Sequence, residues 1–251
     1  MRHPLHLAIA ALLLLAAAAP AQIHSPQVNL HRRHPADDIS WLAEYTRPTP
    51  DGDENRLVQD PRFKPFLKRN LTAPQTFWGP PGGEGKPLAD AAFDFLAGPP
   101  GRVILDARRY LNADACVAHF CPNRGLLWID TALPQPLVVF AAIDWISDNR
   151  ATDDKSSSYT LWIFPNQPLD PARIPAALTR SIARWTSIPS SGSTDLQNIT
   201  RVFLVDPDGA PHTLSPSSVG AHNNLPAETT TASPTSTPQA TPAQTAPKAN
   251  P

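Results

Sequence analysis

Apolar residues recur along this chain at two spacings, and each spacing predicts a different element. Phe63, Phe66, Leu67 and Leu71 follow Pro61 at helical intervals, and Pro65 falls early enough in that helix to be tolerated. Ile174, Leu178, Ile182 and Trp185 mark one face of a second helix over 171–185, with Pro175 in its first turn. Asp37 and Asp38 precede Ile39, Trp41, Leu42 and Tyr45, which suits a short helix with acidic residues at its N-terminus. Elsewhere the apolar runs are short, β-branched and aromatic. Residues 103–105, 110–111, 125–131, 137–146, 159–164 and 202–205 read as strands. Pro134-Gln135-Pro136 and Asp206-Pro207-Asp208-Gly209 punctuate them as turns, and 80–85 reads as a loop. Consecutive strands with short turns and helices at the ends predict an α+β fold, a central antiparallel sheet with flanking helices.

The two ends of the chain are patterned differently. Met1-Arg2-His3 leads into an apolar run from Leu5 to Ala18, closed by Ala19-Pro20-Ala21. A basic start, a short apolar core and a small-residue exit predict a signal peptide over 1–21, hence export to a periplasmic or secreted location. No later stretch approaches the length of a membrane span, so none is expected after cleavage. Residues 22–35 carry little pattern and read as a flexible arm. Residues 215–251 are dominated by Pro, Thr, Ser and Ala, with too few groups to bury to offset ordering entropy, and are expected to be a disordered tail. That leaves 36–214 as one domain, large enough for a real core. Twenty-one Lys and Arg against 22 Asp and Glu leave a formal charge of −1. A balance this close to neutral points to neither nucleic acid nor an anionic membrane as a partner.

The chemistry concentrates in six residues, Cys116-Val117-Ala118-His119-Phe120-Cys121, which hold both cysteines of the chain. In an oxidising compartment such a pair is expected to bridge. The loop so closed is too small to staple a domain, but it holds His119 in a protruding pose. Three other readings compete. A thiol–disulfide enzyme favours a two-residue spacing, which this pair does not have. A zinc site needs more ligands than two Cys and one His, and no H-E-x-x-H or second cysteine pair supplies them. Two unrelated buried thiols fit an exported chain poorly.

The stretch from Tyr110 to Ile143 resembles the Ivy family, bacterial inhibitors of vertebrate lysozyme. The resemblance lies in Tyr110-Leu111, Cys116-x-x-His119-x-Cys121, Leu126-Leu127-Trp128 and the apolar run 138–143. Upstream, Phe63 to Trp78 looks like the family's helix and Pro/Trp segment, so the likeness covers 61–146. It implies that the bridged loop enters the cleft of a lysozyme-like glycoside hydrolase and sets His119 between the two catalytic carboxylates. Val117, Ala118 and Phe120 would then be its neighbours in the contact. Lysozyme chemistry needs one protonated and one ionised carboxyl group, and an imidazole can hydrogen-bond to both. Where the family usually has Lys, Pro and Asp, this chain has Val117, Ala118 and Phe120. The expected partner class therefore extends from lysozyme to a related muramidase or lytic transglycosylase, with Phe120 offering a ring to a sugar-binding subsite.

Other candidates carry blander readings. His31, Arg32, Arg33 and His34 form a basic cluster in a solvated arm. Asp144, Asp148, Asp153 and Asp154 lie near Asn149 but lack the spacing of a calcium loop. Trp41, Trp78, Trp128, Trp145, Trp162 and Trp185 read as core rather than as a sugar platform. Asn70-Leu71-Thr72 and Asn198-Ile199-Thr200 are sequons, of use only where a cell glycosylates its exports. No nucleophile elbow, phosphate loop or dinucleotide fingerprint appears, so no catalytic residue, metal or cofactor is expected. The competing functional reading is a non-catalytic envelope or secreted binding domain whose bridge is only structural.

Overall fold

A computed structural model describes residues 38–46, 56–74, 76–77, 84–98, 101–145 and 157–224. The expected signal peptide over 1–21, the expected arm over 22–35 with its basic cluster, Trp78, Asp148, Asp153, Asp154 and residues 225–251 of the expected tail lie outside them. Within them, helix α1 is Phe63–Asn70, α2 Leu88–Leu96 and α3 Ala176–Thr186. The strands are β1 Thr76–Phe77, β2 Lys86–Pro87, β3 Val103–Asp106, β4 Tyr110–Val117, β5 Phe120–Asp130, β6 Leu137–Trp145, β7 Ser158–Pro165, β8 Asn198–Val205 and β9 Pro211–Leu214. Strands β1 and β2 make a small ladder of their own, and β3 to β9 form a seven-stranded sheet in chain order.

The α+β expectation holds, with one departure inside the sheet. Strands β7 and β8 run parallel, and every other neighbouring pair is antiparallel. Parallel neighbours need a long crossover, and α3 supplies it. Alternation within each strand then builds two cores. Leu127, Ile129, Val138, Phe140, Ala142 and Phe164 face α1, α2 and the short 3₁₀ helix Ser40–Tyr45. Leu126, Trp128, Val139, Ala141, Ile143, Leu161 and Ile163 face Leu178, Ile182 and Trp185 of α3. With both faces covered, β5 and β6 read as continuous apolar runs instead of alternating ones. The described tryptophan side chains follow the core reading. Trp41, Trp128 and Trp185 are buried, and Trp162 is half-buried, stacked on Phe203 with ring centroids 4.8 Å apart.

Several elements differ from the sequence reading: β4, β5 and β8 reach beyond the runs read at 110–111, 125–131 and 202–205, and four further departures bear on the architecture. The tail does not start at Ser215. Residues to Asn224 pack beneath α3, where Val219 is fully buried, Ile199 N–H donates to His222 O at 3.0 Å, and His222 N–H donates to Thr186 Oγ1 at 3.0 Å. Pro175 caps α3 from outside its first turn, because its backbone is extended (ψ 125°). The strand ending at Val205 is not the last. The Asp206–Gly209 turn returns the chain into β9, with Gly209 at φ 96°. Finally α2, to which the sequence reading assigned no element, places Leu88, Ala91, Ala92, Phe95 and Leu96 on one buried face, and it is the helix that makes most contact with the hairpin described next.

Candidate functional site

Strands β4 and β5 form a hairpin whose tip is the six-residue motif. Val117 pairs with Phe120, which leaves Ala118 and His119 as the turn. His119 sits at φ 64°, in the left-handed region. Among non-glycine residues, His is one of the few enriched there, so the apex accepts this residue at modest strain. Cys116 and Cys121 are bridged below the tip, with Cα atoms 4.8 Å apart. Above the bridge Ala118, His119 and Phe120 are exposed, and Phe120 is 41 % accessible. Below it Cys116 is buried. Val117 departs from its expected place in the contact: only 6 % accessible, it belongs to the core under α1 and α2. Its strand alternates, and the face opposite the polar residues of β4 is the one the helices cover.

The hairpin stem is clamped from both sides. On the α2 side, Gly98 N–H donates to Cys116 O at 2.9 Å. A Cβ at position 98 would stand 2.1 Å from Cys116 O and 2.9 Å from Ala118 N, so only glycine lets the chain pass this close. A Cβ at Gly125, lower on β5, would likewise stand 2.9 Å from Cβ and O of Phe95 in α2. On the α3 side, the β4–β5 register jumps. Cys116 pairs with Arg124, whereas Val117 already pairs with Phe120, so 121–123 bulge out of the ladder.

Side chains take over where the ladder stops. Asn123, buried, donates from Nδ2 to Asp144 Oδ1 at 2.9 Å. This is where the structure puts the first of the aspartates considered for calcium; among the described residues no cluster of potential metal ligands forms. Gln197, fully buried, donates from Nε2 to Pro122 O at 2.7 Å. Arg124, also buried, donates to Ile188 O at 2.6 Å and Trp185 O at 3.0 Å, and lies 5.2 Å above the Trp185 ring. A cation on the last carbonyls of α3 suits the negative end of the helix dipole. Nearby Asp114 accepts from Arg102 N–H at 2.7 Å. Burial pushes its carboxyl up from the usual range, against the opposing pull of that hydrogen bond and of Arg124, Arg102 and Arg184.

None of these anchoring residues stood out in the sequence. Arg124 and Gln197 are 73 positions apart and meet only because β8 returns beside the end of α3. The one available signal was an Arg directly before the apolar run 125–131. The sequons are already engaged: Asn70 accepts from Asn166 Nδ2 at 3.0 Å, and Asn198 Oδ1 accepts from Asn224 N–H at 2.9 Å.

No protein-family model, no curated protein and no solved structure matches this chain. The geometry therefore stands by itself: a covalently closed, solvent-facing turn with a histidine at its apex, on a stem clamped to two layers of helix. Such a tip can donate and accept hydrogen bonds through the imidazole, flanked by an exposed aromatic ring.

Proposed function

We propose that this protein is an exported, non-catalytic inhibitor of a lysozyme-like glycoside hydrolase, and that His119 enters the target's cleft between its catalytic carboxylates. The observation that carries this reading is the exposure and closure of the turn. A flexible loop would lose ordering entropy on docking, whereas this one is restrained by a bridge and a clamped stem before it meets a partner. Two carboxyl groups of which one is protonated and one ionised present an acceptor and a donor at once, and imidazole answers both. The neutral surface of Ala118 and Phe120 suits a cleft built to hold sugar rings, where an aromatic side chain stacks.

The test is inhibition of a panel of lysozymes, muramidases and lytic transglycosylases by the mature protein, its His119→Ala variant and its reduced form. His119→Ala is expected to abolish inhibition with the melting temperature within about 2 °C, since surface substitutions rarely move stability by more than about 0.5 kcal/mol. Reduction is expected to weaken inhibition while costing only about 2 kcal/mol, the scale for so short a loop. A His119→Ala protein that inhibits like wild type would refute the mechanism. A wild-type protein that inhibits no member of the panel would favour the envelope or secreted binding domain.

A further inference from the structure

The disulfide fixes the shape of the tip but not its angle to the sheet. That angle is decided at the bulge 121–123, where the β4–β5 ladder is interrupted. Pro122 has no N–H to give, so its carbonyl is the hydrogen-bonding group through which the backbone at that position can be held. Gln197 holds it, at 2.7 Å, from the residue before β8. The same side chain accepts from Arg124 Nη1 at 3.4 Å, and Arg124 continues to the carbonyls of Trp185 and Ile188 at the end of α3. Both side chains are buried and neither lies on the exposed tip. We propose that Gln197 is a positioning residue for the bridged hairpin: by tying Pro122 O it sets the direction in which His119 is presented.

The two stem ties are then complementary. Gly98 holds the β4 side through Cys116 O, and Gln197 holds the β5 side through Pro122 O. Asn123, bonded to Asp144, anchors the base of the bulge; with the Gln197 tie gone, the closed loop swings about that base and the Gly98 tie. A contact that must place an imidazole to within about 0.5 Å does not tolerate such a pivot. The consequence for inhibition rests on the function proposed above; the positioning itself is read in the free protein.

The experiment uses the full mature chain with Gln197→Glu and Gln197→Leu, followed by amide hydrogen exchange and by inhibition of a vertebrate c-type lysozyme. Glutamate keeps an acceptor for Arg124 and loses the donor to Pro122 O; leucine loses both. Protection at 118–121 is expected to fall at least tenfold in both variants. Protection at 185–188 is expected to persist in Gln197→Glu and to drop in Gln197→Leu, with β6 unchanged in both. Inhibition is expected to weaken at least tenfold in each. Wild-type protection at the tip of Gln197→Glu would overturn the assignment, as would a uniform loss across the sheet, or full inhibition despite a loosened tip. If the exchange pattern appears but the wild-type protein inhibits neither this lysozyme nor any other member of the panel above, the inhibitor reading falls and the positioning role of Gln197 stands.

Discussion

Replacing Gly98 by alanine is the most direct challenge to the clamp on the β4 stem. The added Cβ would lie 2.1 Å from Cys116 O and 2.9 Å from Ala118 N, and both are backbone atoms with no side-chain freedom to yield. Reaching van der Waals distance requires the α2 end and the hairpin to separate by roughly 1 Å. That movement breaks the 2.9 Å hydrogen bond from Gly98 N–H to Cys116 O. Losing the bond and leaving the carbonyl poorly satisfied costs about 1–3 kcal/mol. Alanine restricts the unfolded chain and returns about 0.4–1 kcal/mol. The net expectation is destabilisation of about 1–2 kcal/mol, or roughly 2–8 °C in melting temperature for a chain of this size. Thermal unfolding of the two proteins measures it, and hydrogen exchange at 116–121 locates it. Gly192→Ala is the control. There the Cβ meets nothing within 4 Å, so the cost is only the strain of φ 87°, about 1 kcal/mol, with no effect at the tip. A Gly98→Ala protein with wild-type melting and wild-type exchange at 116–121 would refute the claim that α2 supports the hairpin.

Two further outcomes test the α3 side of the stem. Arg124→Met keeps the aliphatic bulk but strips the donors from Trp185 O and Ile188 O, and is expected to cost about 2–4 kcal/mol by denaturant unfolding, with unchanged m-value. Asp114 has a raised folded pKa, so its ionisation opposes folding: stability is expected to fall as pH rises from the unfolded value near 3.9 through the folded one. Asp114→Asn should therefore match wild type at low pH and exceed it at neutral pH; a variant that matches wild type at low pH and falls below it at neutral pH would mean that the carboxylate's pull on its arginine neighbours outweighs its burial.

Much of the architecture was legible because it follows from short-range physics. The 3.6-residue recurrence of Phe63, Phe66 and Leu67, and of Leu178, Ile182 and Trp185, is what one-sided burial of a helix requires. Strands β3 to β8 announced themselves through β-branched and aromatic runs, and the two cysteines through their spacing. Helix α2 was harder to see: it is short, rich in alanine, and lies between a Gly/Pro loop and Gly98-Pro99-Pro100. The segment 215–224 looked like the start of a tail because its composition is that of one, yet Val219 and Ala221 find room under α3.

By itself, then, the sequence determined the existence of β3 to β8 and of two of the three helices, the pairing of Cys116 with Cys121 and the position of His119 between them. These depend on residue type, period and proximity along the chain. Only the tertiary structure decided what the hairpin stands on. Gly98, Arg124 and Gln197 are ordinary in the sequence and acquire meaning when α2 passes within a hydrogen bond of Cys116 and β8 returns beside the end of α3. Such contacts join residues that are distant in the chain, and no local period or motif encodes them. Tertiary structure also decided that Val117 turns inward, because which face of β4 is covered depends on where the helices dock.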